Sequence, residues 1–416
     1  MLPHVYSEIG RLKKVMVHAP GPEVDIVTPN GANDLLFEDI LFGDLSRLEH
    51  EMMCQVFHKY GVETYKIIDL LIEALSAAPK KAVDELIKEI KRLESLGDSV
   101  IERLKKLSRD ALGHALIEGM PQRPEDMTDD NLYILAPVPN LIFARDPVIM
   151  CHDKVLASSM AERVRTREAR LMVFIFTYHP EFKAPESIID LSKIGNPEVG
   201  KLTLEGGDFL VIDEKTVAIG CSLRTTIDSI KLIGKELAKL GIKNLVVPVL
   251  PKQTAFIHMD TTFTRISHEE CLIYPPIYAK ESPTRSEILY FDLTKDELVE
   301  SKYDYIIDCL ADIGINLTPI YCGGRESLIN QQREQWTQGS NSVCIAPGII
   351  LTYSRNVKTV EELSKAGYMC VSAEEVIKPH FKADFNRKTV ILLKGEELCR
   401  ARGGPRCLTH PLYRED

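Results

Sequence analysis

The sequence predicts a mixed α/β fold carrying an all-helical insertion, on three observations. Short apolar runs of strand length recur along the chain, amphipathic stretches at helical spacing lie between many of them, and one long segment carries no strand signal. The strand-like runs are Lys14 to His18, Leu141 to Ala144, Phe209 to Ile212, Val217 to Ile219, Leu245 to Val249, Tyr305 to Asp308, Val343 to Ile345, Ile349 to Tyr353 and Val390 to Leu393. From about Leu70 to Met120 the pattern changes. Val83, Leu86, Ile87, Ile90 and Leu93 fall at helical spacing on a Lys/Glu-rich background, and Pro79 just ahead is a helix-start signal. Pro121, Pro124 and the acidic run from Asp126 to Asp130 then return the chain to strand pattern at Asn131. The expected organisation is one α/β body built from 1–69 and 131–416, with 70–130 as a helical insertion. No exact repeat is visible, but the pairs Gly206-Gly207, Gly323-Gly324 and Gly403-Gly404 recur before or within strand-like stretches, as degenerate structural repeats would have them.

A chain of 416 residues can bury a large core. The apolar fraction is 44%, yet no apolar run approaches membrane-spanning length, and no basic, apolar leader precedes Ser7-Glu8-Ile9-Gly10. A soluble, cytoplasmic protein is expected, with no membrane partner. The net charge of −10, without any Lys/Arg block, disfavours a nucleic-acid binder, because phosphate neutralisation needs a concentrated basic surface. The ten cysteines include no CxxC pair and no Cys/His cluster of zinc-finger spacing, so neither a structural metal nor a disulfide framework is expected.

One cysteine stands apart. Cys407 follows Arg402, Gly403, Gly404, Pro405 and Arg406, a glycine-rich approach that would present a side chain at a loop tip, as a nucleophile requires. Upstream, His258-Met259-Asp260-Thr261-Thr262-Phe263 reads as a strand, in which His258 and Asp260 would share a face. That pairing suits proton transfer beside a thiol, although a solvated surface pair has the same pattern. Glu205 precedes Gly206-Gly207, where a missing Cβ permits a tight turn or a close approach. In Pro139 to Pro147 a strand would put Asn140 and Asp146 on one face, the alternative being an Arg145–Asp146 surface pair. Several carboxylates converging on one thiol suit a planar cation, and a guanidinium pairs bidentately with carboxylates.

The motifs PNLIFARDP from Pro139, LEGGDFLVI from Leu204, HMDTTFT from His258, REQWTQGSN from Arg333 and RGGPRCLTHP from Arg402, with EIGRLKKVMVHAPG near the start, closely resemble the arginine deiminase family, in order and along essentially the whole chain. The resemblance implies a five-bladed α/β propeller of pseudo-symmetric ββαβ modules with an inserted α-helical bundle. It places the nucleophile on Cys407, the acid/base on His258, the guanidinium-binding carboxylates on Asp146 and Asp260, and the acid supporting the histidine on Glu205. For the substrate's carboxylate end it points to Asn140, Arg165 and Arg224; it counts Phe143 and Arg402 among the substrate-binding residues too, and gives Arg402 a role in holding the nucleophile loop closed. Arg163, Arg165 and Arg167 would equally suit a solvated helix face. The implied reaction is hydrolysis of L-arginine to L-citrulline and ammonia, without metal or organic cofactor, by a homo-oligomer, dimer or tetramer.

The chain departs from the family pattern at Pro405 and Arg406, where Gly and His are frequent, and at Ala144, where threonine is common. Arg406 would either lower the thiol pKa by its charge or face solvent. Competing readings are an amidinotransferase, a hydrolase of agmatine or methylated arginine, and a catalytically inert binding protein.

Overall fold

The computed structural model describes residues 2–128, 131–194, 202–295 and 297–415. Five of its sheets repeat one pairing rule: an antiparallel hairpin, then a helix, then a strand parallel to the inner member of the hairpin. The helix is a geometric necessity, since a parallel return needs a crossover of a dozen or more residues. In the first, Val148–Cys151 pairs with Lys154–Ala157, the helix Thr166–Tyr178 crosses over, and Ile188–Asp190 returns. The same order runs through Phe209–Asp213, Thr216–Ile219, Ile227–Lys239 and Asn244–Pro248, with Ile288–Asp292 and Glu300–Tyr303 added at the outer edge. Phe263–Arg265, Glu270–Ile273, Ile306–Asp312 and Thr318–Tyr321 form the third. In the fourth, Val343–Ala346 and Ile349–Tyr353 precede the helix Val357–Lys365, and both Met369–Ser372 and Thr389–Leu393 run parallel.

The fifth sheet joins the two ends of the described chain. Thr409–Glu415 lies antiparallel to Arg11–Val17, and the helix Gly43–Lys59 leads to the parallel Glu63–Lys66. In these sheets the strands that open each hairpin are buried throughout or nearly so, whereas outer strands such as Glu63–Lys66, Glu300–Tyr303 and Met369–Ser372 are largely open to solvent.

Between Ile67 and Glu118 the chain is helical, as Ile67–Ala77, Lys80–Glu94, Asp98–Lys106 and Arg109–Glu118. Val83, Leu86, Ile87 and Ile90 are buried, as their spacing predicts, each contributing about 1.5–3 kcal/mol of transfer free energy. Lys80–Glu94 stops where Ser95 turns left-handed at φ 58°, and Ser108 caps the last helix by accepting the Ala111 N–H. A short antiparallel pair, Met120–Pro121 with Tyr133–Leu135, follows, while Asp129 and Asp130 of the acidic run lie outside the described residues. Leu71, Leu75 and Leu116 share one core with Val5, Met16, Leu141, Val148 and Leu412. No helix among the described residues is long and apolar enough to cross a membrane.

Three strand expectations are corrected. Leu141 to Ala144 falls in a 3-10 turn, Pro139–Ile142, where Pro139 favours turn initiation and the Phe143 N–H closes onto the Asn140 carbonyl. Tyr305 to Asp308 is the start of the helix Ile306–Asp312, whose Ile306, Cys309 and Leu310 are buried at helical spacing. His258 to Phe263 is a 3-10 turn over Met259–Thr261 before the strand Phe263–Arg265, because Asp208 captures the Met259 N–H and the Thr261 and Thr262 N–H groups close onto the His258 and Met259 carbonyls instead of a ladder.

Candidate active site

A cavity of about 540 Å³ opens where turns from several modules meet, and Cys407 lines it. The loop reaching Cys407 is held by its own backbone and by side chains from distant parts of the chain, among them Asn341, Tyr353, whose hydroxyl donates to the Gly403 carbonyl at 2.9 Å, and Arg145, whose Nε donates to the Arg406 carbonyl at 3.3 Å. Arg402 turns left-handed at φ 70°, the Leu408 N–H donates to the Gly404 carbonyl, and the Thr409 hydroxyl lies 3.0 Å from the carbonyl oxygens of Pro405 and Arg406. Asn341 Oδ1 accepts the N–H groups of both Arg406 and Cys407 at 3.1 Å, while its Nδ2 donates to Cys407 Sγ at 3.1 Å. Phe143 packs against Gly403, where any Cβ would lie 2.1 Å from its ring.

Cys407 Sγ stands 3.6 Å from Asp260 Oδ2. Burial pushes this thiol well above the ordinary range, and the charges of Asp260 and Asp146 push it further; the Gly404 backbone donor and Arg406 offset only part. Arg406 does not face solvent. It is 1% exposed, paired with Glu8 through Nε and Nη2 at 3.0 Å, and donates Nη1–H to Asp260 Oδ2 at 2.7 Å.

His258 and Asp260 are buried rather than solvated, and both reach the thiol's surroundings from a turn instead of a strand face. His258 Nε2 lies 2.9 Å from Glu205 Oε2, and Nδ1 lies 3.8 Å from Asp146 Oδ1. Burial draws the imidazole down, but Asp146, Glu205 and Asp208 outweigh it and the group is pushed up to about 9. Burial acts upward on Glu205, and its hydrogen bond to His258 and the nearby Arg165 and Arg224 charges hold it well below the usual carboxylate range. These shifts favour an imidazolium beside a carboxylate, with Nε2 held on Glu205 and Nδ1 facing Asp146. Gly207 makes room for this ring, since a Cβ there would sit 2.4 Å from His258 Nδ1.

The remaining expected residues divide by what already engages them. Asp146 is not in a surface pair with Arg145; both are buried, and Asp146 Oδ2 accepts from Arg165 Nη1 at 2.8 Å. Arg165 also grips Glu168 and the Asn140 carbonyl, so it is a buried cation bordering the cavity; of the two neighbouring arginines, Arg163 is exposed and Arg167 is buried. The Asn140 side chain donates to the Leu35 carbonyl at 2.6 Å, pinning the wall formed by Pro29 to Ile40. Arg224 keeps Nε and Nη1 without hydrogen-bond partners, 3.9 Å from Glu205. Arg402 lies 3.3 Å over the Trp336 ring, with all three guanidinium nitrogens lacking hydrogen-bond partners. Arg224 and Arg402 are thus the cations open to an anionic group in the cavity.

Asp146, Glu205 and His258 also bring one potential metal-ligand atom each within 4.8 Å of one another. The Arg165 guanidinium already engages Asp146 Oδ2, and His258 Nε2 is committed to Glu205, so the chain's own cations neutralise these acids while Asp146 Oδ1 stays without a hydrogen-bond partner. Sequence reasoning gave no role to Asn341, Asp208, Glu8, Glu168 or Trp336. The first two act through backbone N–H groups, which leave no spacing signature, and each was visible only as a letter inside a quoted motif.

The model of the arginine deiminase family matches residues 33–414. The chain belongs to this family. Among relatives in the arginine deiminase family, the arginine deiminase of Staphylococcus haemolyticus is 30% identical over 428 residues, covering 99% of this chain and 98% of that protein. That of Bacillus cereus (strain ATCC 10987) is 32% identical over 430 residues, with the same coverage. Among solved structures, SxtG, an amidinotransferase from Microseira wollei, matches with TM-score 0.55 at 12% identity, covering 100% of this chain and 98% of that one. The N-terminal domain of ArgZ, covalently bound to a reaction intermediate, matches with TM-score 0.51 at 15% identity over 97% of this chain and 98% of that one. Unliganded AgrE matches with TM-score 0.53 at 14% identity over 98% of this chain, which spans 40% of AgrE's length. At such identities these structures share the mixed α/β fold of this arginine deiminase family member.

Proposed function

We propose that this chain hydrolyses L-arginine to L-citrulline and ammonia through a covalent intermediate on Cys407. The observation that carries this reading is the pair of open carboxylate oxygens beside the thiol. Asp146 Oδ1 and Asp260 Oδ1 are buried and lack hydrogen-bond partners, a costly arrangement that a guanidinium's fork of donors would relieve. The same cation would stabilise the Cys407 thiolate, which the two aspartates disfavour in the free protein.

In the proposed reaction the thiolate attacks the guanidinium carbon, forming the C–S bond. His258 Nδ1 gives its proton to the departing nitrogen, the C–N bond breaks and ammonia leaves, with a thiouronium cation remaining on Cys407. Neutral His258 then takes a proton from water, and the hydroxide adds to the same carbon. Collapse breaks the C–S bond, returns the thiolate with its electron pair and releases citrulline as the hydroxyl proton passes to solvent. Glu205 keeps His258 oriented throughout, and Arg224 and Arg402 read the substrate's carboxylate, with Asn140, Phe143 and Arg165 shaping the cavity.

The same reading makes the five repeated sheets a closed five-bladed propeller with the site on its axis, supported by the shared pairing rule and the inward gradient of burial. It takes 1–69 and 131–416 as the catalytic unit, 70–130 as its helical insertion, and the protein as a cytoplasmic homo-oligomer. The deciding experiment incubates purified protein with L-arginine and measures both products. Equal citrulline and ammonia, lost entirely in Cys407→Ala and absent with agmatine, is the expected result; substantial residual turnover in that variant would refute covalent catalysis by Cys407.

A further inference from the structure

Directly after Glu205, Gly206 and Gly207 comes a carboxylate that the proposed chemistry does not use. Asp208 is 0% exposed, and no ion pair neutralises it among the described residues. Such a group is held only by its hydrogen bonds, and both oxygens are engaged. Oδ1 accepts the Met259 N–H at 2.8 Å, on the residue that follows His258. Oδ2 accepts the Ser222 hydroxyl at 2.5 Å. Ser222 Oγ in turn accepts the backbone N–H of Arg224 at 2.9 Å and of Thr225 at 3.2 Å. The carboxylate itself is boxed in: a Cβ on Gly220 would lie 2.6 Å from Asp208 Oδ1 and 2.7 Å from Met259 Cβ.

We infer that Asp208 is a positioning residue that sets two functional loops from one buried carboxylate, the His258 turn through Met259 and the Arg224 loop through Ser222. The inference rests on the reading of His258 as acid/base and Arg224 as a reader of the substrate carboxylate. Its content is a link between them: the distance from the reacting carbon to the carboxylate end of the substrate is fixed where Asp208 spans the two loops. A guanidine of the correct length is thereby matched to both ends of the cavity at once. Burial pushes the Asp208 carboxyl up to about 7, against the nearby His258 charge and the donors Ser222, Thr225 and the Met259 N–H, which offset only part of it.

The test separates the two arms kinetically. Ser222→Ala releases only the Arg224 side, so its KM for L-arginine rises about tenfold, the effect of losing one well-placed hydrogen bond, with kcat unchanged. Agmatine, which has the guanidinium but no carboxylate, inhibits wild type and Ser222→Ala with the same Ki. Asp208→Asn, which keeps the shape and mispairs one oxygen position, loses kcat about tenfold as well as raising KM. Wild-type kcat and KM in folded Asp208→Asn would overturn the inference. If that variant does not fold, Ser222→Ala decides: an unchanged KM, or one raised equally for the agmatine Ki, overturns it. Arg224→Ala is the control on the underlying reading. If it leaves KM unchanged, the assignment of Arg224 fails, and a kcat loss in Asp208→Asn still supports the His258 arm.

Discussion

Each of the two aspartates facing the thiol gives one oxygen to the chain and leaves the other without a hydrogen-bond partner. Asp146 gives Oδ2 to Arg165 and Asp260 gives Oδ2 to Arg406, while both Oδ1 atoms lack hydrogen bonds, that of Asp146 lying 3.8 Å from His258 Nδ1. Buried carboxylates are thus held ionised by the chain's own arginines without being satisfied. Glu205 and His258 form the complementary pair, and its pH dependence follows from the raised imidazole. A histidine whose pKa climbs on folding from 6.5 to about 9 stabilises the fold fully below the lower value, and that contribution is lost as pH rises through the higher. Glu205→Gln strands a buried imidazolium, so urea unfolding near neutrality is expected to show a loss of about 3–5 kcal/mol. The gap to wild type should narrow once pH exceeds about 9, where His258 is neutral in both proteins. A gap that stays constant across that range would mean His258 is not charged in the folded state. These residues were legible in the sequence because their types announce proton and thiol chemistry; Asn341 and Asp208 were not, because an amide or carboxylate that holds backbone N–H groups looks like any other polar residue.

The elements that carry the site are turns, and that is where strand patterns misled. Pro139–Ile142 and Met259–Thr261 are buried and short, and such segments cannot be told from strands until the partners of their N–H groups are known. For Met259 the partner is Asp208, far along the chain, and in the Cys407 loop Asn341 takes the N–H groups of Arg406 and Cys407, whereas the Pro139–Ile142 turn closes locally onto the Asn140 carbonyl. The helical stretch, by contrast, was readable because its 3.6-residue periodicity is a local property. The nucleophile loop offers a test of how tightly such a turn is held. At Gly404 a Cβ would fall 2.5 Å from Asn341 Oδ1 and 2.6 Å from the Asn341 carbonyl oxygen, so alanine must displace the cradle that orients Cys407. Gly404→Ala should cost about 1–3 kcal/mol of stability, as overpacking does. It should also slow alkylation of Cys407 in the presence of guanidine relative to wild type. Normal turnover and stability in this variant would show that the Asn341 contact does not constrain the loop.

At the scale of the whole molecule, the two ends of the described chain and the helical segment are tied to the same interior. Thr409–Glu415 pairs with Arg11–Val17, and Glu8 reaches Arg406 beside the nucleophile, so the site is closed by contacts between residues some 400 positions apart. Leu75, Leu86, Ile87 and Leu116 of the helices pack in one cluster with Val5, Met16, Leu141, Val148 and Leu412 of the α/β body. A segment that is inserted in sequence but shares its core with the body has no separate interior to lose, and cooperative unfolding follows from that sharing. Leu116 is 0% exposed, and Leu116→Ala should cost about 2–5 kcal/mol through lost transfer energy and the cavity left behind. Trp336, the chain's single tryptophan, stacks on Arg402, which lines the Cys407 cavity, and belongs to a different part of the structure from the helical segment. Its fluorescence transition and the far-ultraviolet circular dichroism of the helices should therefore shift together, to the same lower midpoint, although the substitution lies in the helical segment. A helical transition that moves alone, with the Trp336 signal unchanged, would establish that the helices melt independently and that the common cluster does not couple them to the site.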